Sequence, residues 1–195
     1  MNYKNYTPQE NEFFAENELI QIQPLFRLDK FEFISGSFGP FKPGKPVTVP
    51  IWLALYLKQR NKCTVQLPLW LEFEYLTKVK ALEKEKIDLF AEEIPYYYFE
   101  IATLLFNNCA DEFQNLQKMK SIVEDIFEFR REKLVRMLKN VNPQTPLKYL
   151  SYVGSAELNS VRPAFSAAYT VAGKMQSIVD ACTKQIETNA AQAGL

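Results

Sequence analysis

Residues 36–63 read GSFGPFKPGKPVTVPIWLALYLKQRNKC, and the two halves of this stretch differ in kind. In the first half Gly36, Gly39 and Gly44 supply backbone freedom, whereas Pro40, Pro43, Pro46 and Pro50 each fix φ and remove a donor. Together they specify an ordered loop, neither helix nor strand. In the second half Ile51 to Leu57 is apolar without a break, Pro50 suits the opening of a helix, and Lys58, Arg60 and Lys62 stand where cations complement a helix C-terminus. The loop reads as a fixed surface, and the helix as a core element buried on nearly all sides.

On the N-terminal side, Thr7-Pro8-Gln9-Glu10 is a capping box with proline at the first helical position, which predicts a short helix. Ile20 alternates with Ile22, Phe31 with Phe33 and Val47 with Val49. This spacing predicts strands over Leu19 to Gln23, Phe31 to Ser35 and around Val47 to Val49, in one small sheet with the Trp52 helix on one face.

On the C-terminal side the character changes near residue 62. Leu71, Tyr75, Val79 and Leu82 form one helical stripe, and Ile94-Pro95 opens a helix with almost no polar face through Phe106. Asp111 to Asn140 is the longest predicted helix, about 45 Å at 1.5 Å per residue, striped by Phe113, Leu116, Val123, Phe127, Leu134 and Leu138. That is longer than a domain of this size needs, so part of it is expected to reach towards a partner. Pro143 and Pro146 break the chain between Val141 and Pro146. A last helix is expected from Asn159 or Ser160, with Pro163 in its first turn and a buried stripe of Phe165, Tyr169, Ala172, Val179, Cys182 and Ile186. The expected fold class is α+β, mostly α. A small β-rich domain (1–62) precedes a larger helical domain (63–187), and a frayed tail (188–195) follows.

Composition narrows the chemistry. The chain has 195 residues, 47% hydrophobic and 24% charged, the balance of a soluble globular protein. Lys+Arg and Asp+Glu are equal at 23 each, so no global field draws it to nucleic acid or to an anionic membrane. Histidine is absent, which removes the usual general base and the commonest zinc ligand. Cys63, Cys109 and Cys182 lie far apart with no C-x-x-C spacing, which indicates neither a disulfide framework nor a zinc site and suits a reducing compartment. The polar N-terminus has no leader-like pattern, and no apolar run is long enough to span a bilayer.

Neighbouring carboxylates such as Glu83 and Glu85, Glu92 and Glu93, or Asp111 and Glu112 point to different helix faces in charged surroundings, so they read as solvated and no catalytic pair is assigned. The glycines of the central loop match no phosphate-binding pattern. Arg130, Arg131, Lys133, Arg136 and Lys139 make a cationic run, and Arg130 sits close to where the apolar stripe should continue. DNA phosphate contact by the Arg130 to Lys139 face is one reading. The alternatives are local pairing with Glu128 and Glu132, or an ion pair between Arg130 and another chain. The aromatic run Tyr96 to Phe99 has no interleaved cations and so reads as a surface for another subunit rather than for bases.

The run G-x-x-G-P-F-x-P-G-x-P-V-x-V-P-[IL]-W-L-A-x-x-L-K-Q-R-x-K-C, with Gly39, Pro40, Pro50, Trp52, Leu53, Lys58, Arg60 and Cys63 among its fixed positions, resembles the signature of the second Psf subunits of the eukaryotic GINS complex. The likeness extends over about Thr7 to Ile178. It takes in Thr7, Pro8, Glu10 and Phe13; then Pro68, Trp70 and Leu71; then Pro95, Tyr97, Leu104, Leu105 and Asn107; then Ile122, Asp125, Ile126, Arg130 and Lys133; and finally Glu157, Leu158, Asn159, Arg162 and Pro163. Around Leu147 to Ala156 the spacing is lengthened relative to the family. The resemblance implies a non-enzymatic scaffold without cofactors, in a nuclear heterotetramer with three other GINS subunits. It further implies that the tetramer joins the MCM ring and the Cdc forty-five protein in the replicative helicase and contacts DNA polymerase epsilon, with DNA contact indirect or weak and no membrane involved. Tyr96, Tyr97, Phe99, Phe127, Arg130 and Arg131 are the expected partner-facing residues.

Overall fold

Helix α1 (Pro8–Ala15) starts where the capping box places it: the Thr7 hydroxyl accepts from the Glu10 amide at 3.2 Å and the Glu10 carboxylate accepts from the Thr7 amide at 2.8 Å. The computed structural model describes residues 6–86, 89–139 and 151–192. The expected break at Val141 to Pro146 and the last three residues of the tail lie outside them.

A three-stranded antiparallel sheet follows, β1 (Leu19–Pro24) running between β4 (Val47–Pro50) and β5 (Cys63–Val65). Ile20 faces Val49, while Ile22 faces Val47 on one side and Val65 on the other. Two of the expected strands are in this sheet. The third, at Phe31 to Ser35, is not. There β2 (Phe31–Phe33) pairs only with β3 (Gly36–Phe38), as a separate two-stranded ribbon. An alternating Phe31/Phe33 face suits a ribbon as well as a sheet. Here the Phe33 and Phe38 rings lie edge-on to Trp52 at 5.4 and 6.4 Å, while Phe31 stays exposed. At Gly39, φ is +111° and a Cβ would stand 3.2 Å from the Lys30 backbone, so this position in the loop requires glycine.

Helix α2 (Ile51–Gln59) lies across β1, β4 and β5, as its apolar run predicts. Ile51, Leu53, Ala54 and Leu55 are buried, whereas Tyr56 is exposed. The core continues from there into the helices without a gap. Helix α4 (Tyr98–Asn108) packs on α1, α2 and α5 (Leu116–Lys139), and α5 packs on α3 (Phe73–Glu85). Along α5 the buried positions are Met119, Val123, Ile126, Arg130, Lys133 and Leu134, one helical stripe with two cations inside it.

Helix α6 (Ser155–Gln192) is 38 residues long and begins four residues before the expected Asn159. Gly154 serves as its cap: its carbonyl accepts from the Leu158 amide at 2.9 Å, and its own amide donates to the Glu157 carboxylate at 2.8 Å. Pro163 therefore sits inside the helix, not in its first turn. Val161 and Phe165 join Phe90, Leu134 and Val153 in a second apolar cluster. Beyond Phe165 the expected buried stripe is not found: Val179 and Cys182 are exposed, as are Val171, Met175 and Ile178. The side chains of Tyr169, Ala172 and Ile186 lie outside the described set.

Candidate functional site

The signature residues of the central stretch hold the fold together. Pro50 precedes α2 in extended conformation, Leu53 is buried, and Trp52 is half-buried beneath the ribbon. The Lys58 ammonium bonds to Asp111 at 2.7 Å and also to Glu112, tying the end of α2 to the turn before α5. The Arg60 guanidinium lies over the Tyr56 ring at 4.5 Å. Cys63 and Cys109 are buried, and burial pushes both thiols up to about 11. They are protonated at neutral pH and make no nucleophiles.

Four charged side chains meet in the helical region, among them Glu83, which the sequence reading expected to be solvated. Glu83 of α3, Arg130 and Lys133 of α5 and Glu157 of α6 are all buried. Arg130 Nη1 donates to Glu83 Oε1 at 2.8 Å, and its Nε stands 2.8 Å from Glu157 Oε1 in an ion-pair contact that lacks hydrogen-bond alignment. Lys133 donates to the other oxygen of Glu83 and, at 3.0 Å, to the Leu89 carbonyl. The Ala91 amide donates to Glu83, the Tyr98 hydroxyl donates to Glu157, and Arg130 also reaches the Tyr152 carbonyl. Burial followed by the Glu157 charge holds the Tyr98 phenol well above its ordinary range. Burial disfavours the Arg130 cation, but Glu157, Tyr98 and Glu83 outweigh it and raise its pKa. Two cations and two carboxylates balance, so the cluster is electrically complete inside the chain.

This arrangement corrects the expectation for Arg130, whose side chain is 1% exposed and cannot face a partner. The cationic run also loses half its case as a phosphate-binding face: Arg130 and Lys133 point inward, and Arg131, Arg136 and Lys139 share the surface with Glu128 and Glu132. Arg131 stands 3.4 Å from Glu128. Sequence reasoning missed Glu83 and Glu157. The one available signal was Arg130 falling on the apolar stripe, since a buried arginine demands buried carboxylates.

The other expected residues form an aromatic surface. Phe99 and Phe127 stack at 4.5 Å between α4 and α5, both half-buried. Tyr96 is exposed and meets the half-buried Tyr97 edge-on at 4.7 Å. Beside the stack is a groove of about 360 Å³, walled by α1, α4, α5 and the first turn of α6. A second apolar face lies on the outer half of α6. Val171, Met175, Ile178 and Val179 recur at helical spacing and are 53%, 63%, 63% and 55% exposed. No described helix is long and apolar enough to cross a membrane, so this face is not a membrane span. Such a stripe is an apolar face that no described element covers.

Comparison with known sequences covers most of the chain, from Thr7 to Met175. The chain matches the PSF2 N-terminal domain over residues 7–66 and the GINS complex protein helical bundle domain over residues 70–175. It is 42% identical over 125 residues to the Homo sapiens DNA replication complex GINS protein PSF2, covering 64% of this chain and 67% of that one. Against the Schizosaccharomyces pombe DNA replication complex GINS protein psf2 the identity is 35% over 175 residues, 90% of this chain and 92% of the relative. The Drosophila melanogaster probable DNA replication complex GINS protein PSF2 is 30% identical over 154 residues, 78% of this chain and 75% of its own.

Proposed function

This chain belongs to the PSF2 family of GINS complex proteins, which act in DNA replication, and on that premise we propose that it is a non-enzymatic scaffold subunit completed by three other GINS subunits. The observation that carries the reading is the uncovered apolar stripe Val171, Met175, Ile178 and Val179 on α6. A monomeric helix would not keep these side chains in water over several turns, whereas a helix from a partner covers them at a gain of about 1.5–3 kcal/mol for each fully buried side chain. The aromatic surface of Tyr96, Tyr97, Phe99 and Phe127, with Arg131 at its charged edge, is the second contact.

In this reading the assembled tetramer works in the nucleus. It joins the MCM ring to the Cdc forty-five protein in the replicative helicase and offers a face to DNA polymerase epsilon. The chain itself contributes binding surface and no chemistry, and its contact with DNA is indirect or weak. The residues that resemble the family signature support the division of labour, because they stiffen the N-terminal region as a docking body.

The test is co-expression of the chain with the three other subunits from the same genome, read by size and stoichiometry. Wild type should give an equimolar complex. Met175→Glu with Ile178→Glu should abolish it while the isolated chain keeps its helical circular dichroism. A full-size complex from the double variant would sink the α6 contact.

A further inference from the structure

We propose that the groove beside the Phe99–Phe127 stack is a seat for an arginine side chain presented by a partner protein. The groove floor carries Glu100, a residue 8% exposed, and both of its carboxylate oxygens are buried without a hydrogen-bond partner. Asn11 and Ser155, buried nearby, favour the anion but complete no hydrogen bond to it. A second acceptor faces the same space. Asn159 donates its amide to the Tyr6 carbonyl, which leaves its Oδ1 buried and unpaired. The chain's own buried cations, Arg130 and Lys133, are already committed to Glu83 and Glu157.

The chemistry of what is missing follows. Three unpaired acceptors line the groove, the two Glu100 oxygens and Asn159 Oδ1, and they ask for a group that donates. A buried anion asks for a cation, because an uncompensated carboxylate away from water is costly. The apolar wall is a pair of stacked rings, Phe99 and Phe127, 29° from parallel, against which a flat cation can lie. A guanidinium satisfies all three demands: planar, always charged, five donors and no acceptor, with two parallel bonds available to one carboxylate. An ammonium would supply the charge without the plane. At about 360 Å³ the groove has room for such a side chain and a flanking apolar residue. Burial, which raises the Glu100 carboxyl above its ordinary value, is the strain an incoming cation would relieve.

The proposal rests on the scaffold reading for the source of the arginine but not for the seat itself, so the experiment has two arms. In the first, the full chain carrying ¹³C-labelled glutamate is titrated with N-acetyl-arginine amide and, separately, with its neutral isostere N-acetyl-citrulline amide. The Glu100 carboxyl resonance should move with the arginine compound, and about tenfold less at equal concentration with citrulline, the ratio expected when a charge-assisted pair is replaced by a neutral one. No movement, or equal movement with both, overturns the seat whether or not the tetramer forms. In the second, the co-expressed complex is treated with phenylglyoxal. One arginine on a partner chain should be protected in wild type and modified in Glu100→Gln; an unchanged pattern on every partner overturns the assignment of its source. Melting the isolated chain guards against a purely internal role. Glu100→Gln should melt at or above wild type, and a loss equal to that of Glu100→Ala would mean the carboxylate is bonded within the chain, which would refute the proposal.

Discussion

Glu157 and Glu100 are both buried carboxylates on neighbouring helices, yet one is surrounded by partners and the other has none. Glu157 accepts from Tyr98 and the Gly154 amide and stands against Arg130; Glu100 has Asn11 and Ser155 nearby, but neither of its oxygens completes a hydrogen bond. The difference separates what the chain finishes alone from what it leaves for another molecule. A charge that folding pairs internally is architecture. A charge that folding buries and leaves unpaired marks an opening for a partner, and the bare stripe of α6 says the same in apolar terms.

The comparison can be broken most forcefully at Arg130. Arg130→Met leaves Glu83 and Glu157 buried with Lys133 alone to balance them, and should cost about 3–5 kcal/mol in urea unfolding. A loss below about 1 kcal/mol would mean the cluster is solvated after all. Next in size is Gly154→Ala. Its Cβ would stand 2.9 Å from the Tyr98 ring and 3.3 Å from the Glu157 carboxylate, so packing strain of about 1–3 kcal/mol should appear in the same assay. Smaller, at about 1 kcal/mol, is Thr7→Ala, which removes one half of the capping box and touches neither carboxylate, and so serves as the yardstick for an ordinary local defect.

The pH dependence sharpens the contrast further. For an acid whose folded pKa is raised, the unfolded chain loses its proton first as pH rises, so stability falls through the window above the unfolded value. For Glu100 the window opens near its ordinary 4.5, and unfolding free energy should decline as pH rises from there; Glu100→Gln should flatten that decline. Persistence of the slope in the variant would place it elsewhere. A second decline belongs to Cys63 and Cys109, from their ordinary 9.0 to about 11, and should vanish in the double alanine variant once its lower baseline is subtracted.

The sequence conveyed the N-terminal cap, two strands of the sheet and the cover supplied by α2, because each rests on local pattern: a capping box, alternation, an unbroken apolar run. It placed Phe31 to Ser35 in the wrong partnership, since alternation reports a two-faced strand but not which strand lies beside it. The strand at Cys63–Val65 was missed because three residues are too few to show a period. The start of α6 was hidden for a different reason. Its cap is a glycine backbone closed by a glutamate three residues on, without the serine, threonine or asparagine that usually announces a helix. Of the expected contact residues, Tyr96 and Arg131 lie exposed and Tyr97, Phe99 and Phe127 half-buried, while Arg130 lies within. Charge in a sequence is read as surface by default, and only a partner found in space, such as Glu83 from 47 positions away, reverses that default.

The length of α6 carries one more implication, for how long a copy of this chain survives. At 38 residues it extends about 57 Å, and such side-chain bonds along its outer half as Gln176 to Asp180 and Thr183 to the Val179 carbonyl are local ones within the helix. Segments of that kind open at little cost in free energy, and proteases cut the open form in proportion to its population. A copy made in excess of its partners would thus present a cleavable end, while a copy whose helix is covered would not. Balanced numbers of subunits would then come from selective turnover of the surplus, with no need for matched rates of synthesis.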